Sequence, residues 1–185
     1  MSMINAEFKK VSYEQFKKDF VKYLAINDNY FAQVLAVGGE VDIRKIYDNI
    51  KLPTRGTKRS SGYDFYAPFD IVCQYNKTTI VPTGIRIIFN EEDYDLSMFP
   101  RSGQGCKYRI GIANTVGIID NDYWESDNEG HIIMHMISMA DNKKDITIPK
   151  GKAFCQGIIR PFCRVIGDEG YNLPNRNGGH GSTDK

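Results

Sequence analysis
A carboxylate after a tight turn, in Ser61-Gly62-Tyr63-Asp64, is the first of four groups along the chain whose residue types could do chemistry. The second is Pro100-Arg101-Ser102-Gly103, where a guanidinium sits beside a hydroxyl. The third covers residues 114–123, and the fourth is the tail Gly178-Gly179-His180-Gly181-Ser182-Thr183. Arg101 presents a fork of donors that matches phosphate oxygens, Ser102 adds a hydroxyl, and Gly103 lets a bulky anion approach the backbone. Asn114-Thr115-Val116-Gly117-Ile118-Ile119-Asp120 reads as a strand, a tight turn and a returning strand. A hairpin that opens at its tip exposes N–H and C=O groups that can read the edge of a planar base. Asp120 suits a general base for water, and Tyr123 suits packing flat against a sugar. The tail has the composition of a phosphate cradle, although it lacks the lysine of a Walker A loop. Each motif alone has a plainer reading: a solvated arginine in a turn, an exposed aspartate, a loose terminus. As an ordered set they suit holding a nucleoside triphosphate and delivering water to it.

Elements must hold these groups in place. Short apolar or alternating runs at 41–46, 64–67, 79–89, 108–113, 131–139 and 153–166 are separated by turn-forming Pro, Gly and Asn. Many short strands at this spacing predict an all-β barrel or sandwich. Ahead of them, Ser12 and Gln15 form a candidate capping box, and Phe16, Phe20 and Leu24 recur every four residues as one apolar helical stripe. A second short helix is predicted from Asp28 to Gly38-Gly39. The division that follows is a helical extension over 1–40, a barrel over 41–173 and a flexible glycine-rich arm over 174–185. The helical pair is expected to pack on its own domain or on a sister subunit.

The chain has 185 residues, 41% of them hydrophobic and 25% charged, enough for one domain with a real core. A formal net charge of +1 gives no broad basic field for a nucleic-acid backbone, so nucleic acid is not an expected partner. No apolar run approaches the roughly 20 residues of a membrane span, and the first ten residues lack a signal-peptide apolar region; a cytoplasmic protein is expected. Cys73, Cys106, Cys155 and Cys163 contain no Cys-x-x-Cys pair, and their spacing suits buried apolar cysteines better than a disulfide framework. His131 and His135 invite a metal reading. Four residues on a strand span about 13 Å, however, too far for two rings to share one ion.

The ordered motifs over roughly residues 41–185 resemble those of the trimeric dUTPases, the deoxyuridine triphosphate nucleotidohydrolases. Ser61-Gly62-Tyr63-Asp64 is similar to the family's first motif, residues 100–107 to the second, 114–123 to the third, 151–156 to the fourth and 178–183 to the fifth. The resemblance implies a jelly-roll-like β-barrel homotrimer with active sites shared between subunits. It implies hydrolysis of dUTP to dUMP and pyrophosphate, with Mg2+ carried by the triphosphate and water rather than by a protein cage. By position, Asp120 would activate the water that strikes the α-phosphorus, and Asp64 would support the water and sugar side. Arg101, Ser102 and Gln156 would hold phosphate oxygens, with Gly103 beside them. The backbone around Asn114, Gly117 and Ile119 would pair with the uracil edge, and Tyr123 would sit beneath the deoxyribose and exclude a 2′-hydroxyl. Gly179, His180, Gly181, Ser182 and Thr183 would close over the ligand, with Arg176 a candidate γ-phosphate contact.

Four departures from the family pattern stand out. His180 replaces a phenylalanine, so neutral imidazole would cover the uracil. Arg176 lies one position nearer the glycines than the usual arginine. Ala153 replaces an arginine of the fourth motif. Residues 124–129 are inserted where the family continues directly with Gly-Glu. Two other readings are compatible with parts of the pattern. A dCTP deaminase of the same fold would need a glutamate base in the hairpin region, where this chain has Asp120. A nucleotide-responsive protein-binding regulator would use the helical extension to meet its partner, and no individual residue speaks for it.

Overall fold
Period-two burial marks the strands. Ile85, Ile87 and Phe89 are buried while Arg86 and Ile88 between them are partly exposed, the alternation of a strand with one face on a core. The computed structural model describes residues 4–26 and 42–168, together with Gly178. Among these residues the strands are β1 (Ala6–Lys10), β2 (Thr54–Arg55), β3 (Tyr63–Tyr66), β4 (Ile71–Cys73), β5 (Thr78–Pro82) and β6 (Ile85–Phe89) in the first half. They continue as β7 (Tyr94–Pro100), β8 (Ile110–Ile112), β9 (Gly117–Ile119), β10 (Ile133–Ser138), β11 (Ile146–Ile148) and β12 (Ala153–Pro161).

Two sheets carry the architecture. One has five strands in the order β2-β3-β12-β7-β9, the other three in the order β5-β10-β8; β1 pairs with β6 and β4 with β11. All of these pairings are antiparallel. Neighbours distant in sequence, such as β3 with β12 and β5 with β10, give the crossed-over order of a jelly-roll-like barrel. Phe65, Leu96, Met98 and Phe154 from the first sheet meet Val81, Ile110, Met134 and Met136 from the second in one core.

The N-terminal helix belongs to that core. Helix α1 (Tyr13–Ile26) buries Phe16 and Phe20 completely and turns Lys17, Lys18 and Lys22 to solvent. Phe20 meets Phe69 edge-on, with ring centroids 5.4 Å apart. The helix starts as expected, Ser12 Oγ accepting from the Gln15 N–H at 3.1 Å. The other half of the box is diverted. Gln15 donates its amide to Asp19, and the Ser12 N–H goes to Glu129 Oε2 at 2.7 Å. The side chain of Leu24 and the helix expected from Asp28 to Gly38-Gly39 lie outside the described residues.

Other expectations are corrected. The residues before α1 are not helical: Ala6–Lys10 is a strand laid on β6. The run 41–46, expected as a strand, leads into helix α2 (Ile43–Asp48). Asp42 caps it by accepting from the Lys45 N–H at 2.8 Å, and Ile43, Ile46 and Tyr47 present a helical rather than an alternating face to the core. The run 79–89 is two strands in different sheets, broken at Gly84, whose φ of +73° is in the left-handed region. Tyr108, expected at the start of a strand, ends a helix, α3 (Ser102–Tyr108), so β8 begins only at Ile110. The cysteines divide: Cys73 and Cys155 are buried apolar residues, whereas Cys106 and Cys163 are exposed, and none is in a disulfide.

Candidate active site
Three motifs that are distant in sequence converge at one end of the five-stranded sheet. Register places Gln156 of β12 between Asp64 of β3 on one side and Phe99 of β7 on the other. The Gln156 amide donates to the Pro100 carbonyl at 3.2 Å, which fixes the side chain over the start of the Arg101 loop. A Cβ at position 62 would come within 2.6 Å of Gln156 Oε1, so a larger residue there would push the Gln156 amide aside. Arg101 Nε meets Asp64 Oδ1 at 3.0 Å, with the arginine side chain 43% exposed and the aspartate 16%. The pair is open enough to be screened, so it holds the guanidinium in place more than it stabilises the fold. Arg101 caps α3 in an extended conformation. The N–H groups of Ser102 and Gly103 therefore fall outside the helix's own ladder, on the arginine's side. Exposed Lys107 lies over the Tyr108 ring, 5.2 Å from its centroid.

The third motif builds a cavity. Strands β8 and β9 were expected to return on each other as a hairpin. Their arms separate instead, β8 pairing with β10 and β9 with β7. The turn between them is tight: the Thr115 N–H donates to the Ile112 carbonyl at 2.9 Å, and Thr115 has a φ of +65°. Between the separated arms is a cavity of about 420 Å³, within the size range of small-molecule pockets. Asn114, Gly117, Ile119 and Tyr123 line it, with Met98 and Ile112 as apolar walls and residues 133–135 at the β10 side. Two strand edges without a mutual ladder face it, so it offers backbone donors and acceptors to a flat polar ligand.

Tyr123 sits in a 3₁₀ turn, Tyr123–Glu125, and is 6% exposed. Its hydroxyl donates to the His131 carbonyl at 3.2 Å and accepts from the Asn128 amide at 2.8 Å. Burial pushes the phenol above its ordinary value, which keeps the proton on. Asp120 is half-buried just past β9, and its carbonyl accepts from the Tyr123 N–H at 3.1 Å.

Asp120 and the Arg101 cluster lie at opposite corners of the sheet. Ile119 pairs with Leu96, so Asp120 is level with Asp95, whereas Asp64 and Gln156 are level with Phe99. Four residues along β7 and three strand spacings across the sheet are about 13 Å and about 14 Å, or about 19 Å between Asp64 and Asp120 in one chain.

His131 and His135 do not share an ion. His131 is fully buried outside the strand, with Nδ1 2.6 Å from Asp19 Oδ2 and Nε2 accepting from the Gly84 N–H at 2.8 Å. Nε2 is therefore the unprotonated nitrogen, and Nδ1–H donates to the carboxylate. Among the described residues no three His, Cys, Asp or Glu side chains converge as a metal site. Arg176, Gly179, His180, Gly181, Ser182 and Thr183 lie outside the described residues. Sequence reasoning missed Asn128 and Glu129, whose Asn-Glu-Gly turn was the available signal, and the buried Asp19–His131 pair.

Comparison with known proteins gives a consistent result. The sequence profile of the dUTPase family matches residues 48–183. The deoxyuridine 5'-triphosphate nucleotidohydrolase of Lactococcus lactis is 35% identical over 147 residues, which cover 79% of this chain and 96% of that protein. The crystal structure of the dUTPase from Streptococcus mutans superposes with a TM-score of 0.57 at 31% identity, covering 63% of this chain and 89% of that one. A mutant dUTPase from phage phi11 of S. aureus, reported with a structural Mg(II) ion, shares the fold with a TM-score of 0.51 at 19% identity over 66% of this chain and 94% of that one. With the profile spanning most of the chain and the Lactococcus protein matched almost end to end, this chain belongs to the dUTPase family.

Proposed function
We propose that this protein hydrolyses dUTP to dUMP and pyrophosphate. The observation that carries this reading is the cavity between the separated arms of β8 and β9. It is walled by Asn114, Gly117, Ile119 and Tyr123, and Asp120 follows directly on the same arm. Backbone groups around Asn114 and Ile119 pair with the uracil edge, and the Tyr123 ring lies against the deoxyribose. The Asp120 carboxylate takes a proton from water as its oxygen bonds to the α-phosphorus. The bond from that phosphorus to the bridging oxygen breaks, and pyrophosphate leaves in line. Such a transfer depends on positioning and charge neutralisation more than on covalent help.

Arg101, Ser102, Gln156 and the N–H of Gly103 hold phosphate oxygens, and Asp64 steadies Arg101 for that task. The separation of about 19 Å between Asp64 and Asp120 supports a homotrimer in which one subunit supplies the cradle and another the cavity. Mg2+ would be held by the triphosphate and water, where its charge would offset that of the departing pyrophosphate. Among the described residues no three His, Cys, Asp or Glu side chains converge, which fits an ion held by phosphate and water. The arm over residues 174–185 closes the site, placing His180 on the uracil and Arg176, Gly179, Gly181, Ser182 and Thr183 along the phosphates. The test is pyrophosphate release from dUTP, dCTP, dTTP and UTP, with and without Mg2+. Release from dUTP that is abolished by chelation is expected. Equal rates on all four nucleotides, or ammonia from dCTP, would overturn the reading.

A further inference from the structure
We infer that Asn128 is a positioning residue for Tyr123, and that the loop over residues 124–129 braces the sugar side of the cavity against helix α1. The inference rests on Tyr123 as the sugar contact and adds what holds that ring in place.

A tyrosine in a single 3₁₀ turn is held by little of its own backbone, and its ring can swing about two torsions. Here the hydroxyl is occupied on both sides. The Asn128 Nδ2 donates to it at 2.8 Å while it donates to the His131 carbonyl at 3.2 Å. The asparagine cannot turn its amide round, because its Oδ1 accepts from the Gly130 N–H at 3.1 Å. That turn needs a glycine: Gly130 has a φ of +67°, and a Cβ there would lie 2.5 Å from the Trp124 Cα. A ring pinned at its far end keeps one distance from the β9 arm, so it can refuse an added 2′-hydroxyl by contact alone. Released, the same ring yields to a ribose.

The far side of the loop is anchored too. The Glu129 carboxylate accepts from the Ser12 N–H and from Ser12 Oγ at the start of α1. Its carbonyl accepts from Arg86 Nη1 at 3.4 Å. Two residues on, the His131 ring ties Asp19 of α1 to the Gly84 N–H. Helix and loop therefore close on each other, with Tyr123 on the cavity side of the contact.

The experiment compares kcat/KM for dUTP and for UTP in the full chain and in Asn128→Ala, Tyr123→Phe, the double variant and Tyr123→Ala. Loss of one hydrogen bond predicts that Asn128→Ala narrows the preference for dUTP by about fivefold, mostly through KM, with kcat within about twofold. Tyr123→Phe, which loses both hydrogen bonds of the hydroxyl, is expected to lose at least as much, and the double variant to be no worse than Tyr123→Phe alone. Asn128→Ser keeps a short acceptor for the Gly130 N–H but cannot reach the phenol. It folds like the parent and still shows the loss, which separates the contact from loop stability. An unchanged preference in Asn128→Ala and Asn128→Ser while Tyr123→Ala loses it, or fully additive singles, overturns the inference alone. An unchanged preference in Tyr123→Ala overturns the sugar contact together with it.

Discussion

Replacing Asp120 with asparagine keeps the size of the side chain and removes its basicity. The expected outcome is a kcat lower by about 10²–10⁴-fold with little change in the dissociation constant for dUTP, measured by single-turnover hydrolysis beside equilibrium binding. A parallel loss of binding would mean that the carboxylate holds ligand rather than water. The cysteines give a second test at this scale, independent of substrate. Burial pushes the Cys73 thiol up to about 12 and raises Cys155 well above its ordinary value, whereas Cys106 and Cys163 are exposed. Native protein treated with iodoacetamide near neutral pH should be alkylated at Cys106 and Cys163 only, and at all four positions after unfolding. Peptide mapping by mass spectrometry reads the result; early labelling of Cys73 would show that the β4 region opens locally.

Helix α1 is held by more than its two phenylalanines. Asp19 is buried, and burial alone would raise its pKa; hydrogen bonds from His131 and Gln15 and nearby positive charge outweigh it, so the carboxyl lies below its ordinary value. A carboxyl lowered on folding adds stability above the unfolded value near 3.8 and loses it as the pH falls below that value toward the folded one. Acidification should therefore destabilise the parent protein more steeply than Asp19→Asn, which still accepts from His131 but does not titrate. Melting temperatures recorded from pH 6 down to pH 3 check this, and identical slopes would remove the ionised Asp19 carboxylate as a contributor. The same element shows why its capping box was only half realised. A free helix satisfies its first N–H groups from its own side chains, but here Glu129 reaches Ser12 from 117 residues away and releases Gln15 to meet Asp19.

At the scale of the whole molecule, the prediction concerns copies of the chain. If one subunit supplies Arg101 and another Asp120, then Arg101→Ala and Asp120→Asn should each be nearly inactive alone. Unfolded together in equal amounts and refolded, they should regain about one quarter of parental activity, because random assembly gives that share of sites both intact halves. No recovery, with mixed oligomers verified by mass, would place both residues of each site in one chain. The register that motivates the experiment is a property of the sheet and not of any motif. Gly117 faces Met98, near the Arg101 end of β7, while Ile119 faces Leu96, further from it. The antiparallel edge strand thus carries Asp120 away from the Arg101 loop of its own subunit.

The sequence by itself determined the local chemistry and much of the local structure. Apolar alternation at Ile85, Ile87 and Phe89 and the four-residue spacing of Phe16 and Phe20 follow from burying one face of a strand or helix, and that period is written in neighbouring residues. The motif residues stand out in the sequence because a guanidinium beside a hydroxyl, a carboxylate after a turn and a glycine-rich run are the types that binding of phosphate, base and sugar would demand. What the tertiary structure decided was everything that depends on a distant partner. Residues 41–46 were misread because six residues hold too little of either period until Asp42 caps the helix and the core takes Ile43 and Ile46. The arms around Thr115 read as a hairpin open only at its tip because a turn fixes direction but not pairing; competition from β7 and β10 drew them apart and left the cavity between them. Hydrogen-bond ladders are satisfied across the whole sheet at once, so only the folded chain fixes which strands pair and how far Asp120 lies from Asp64.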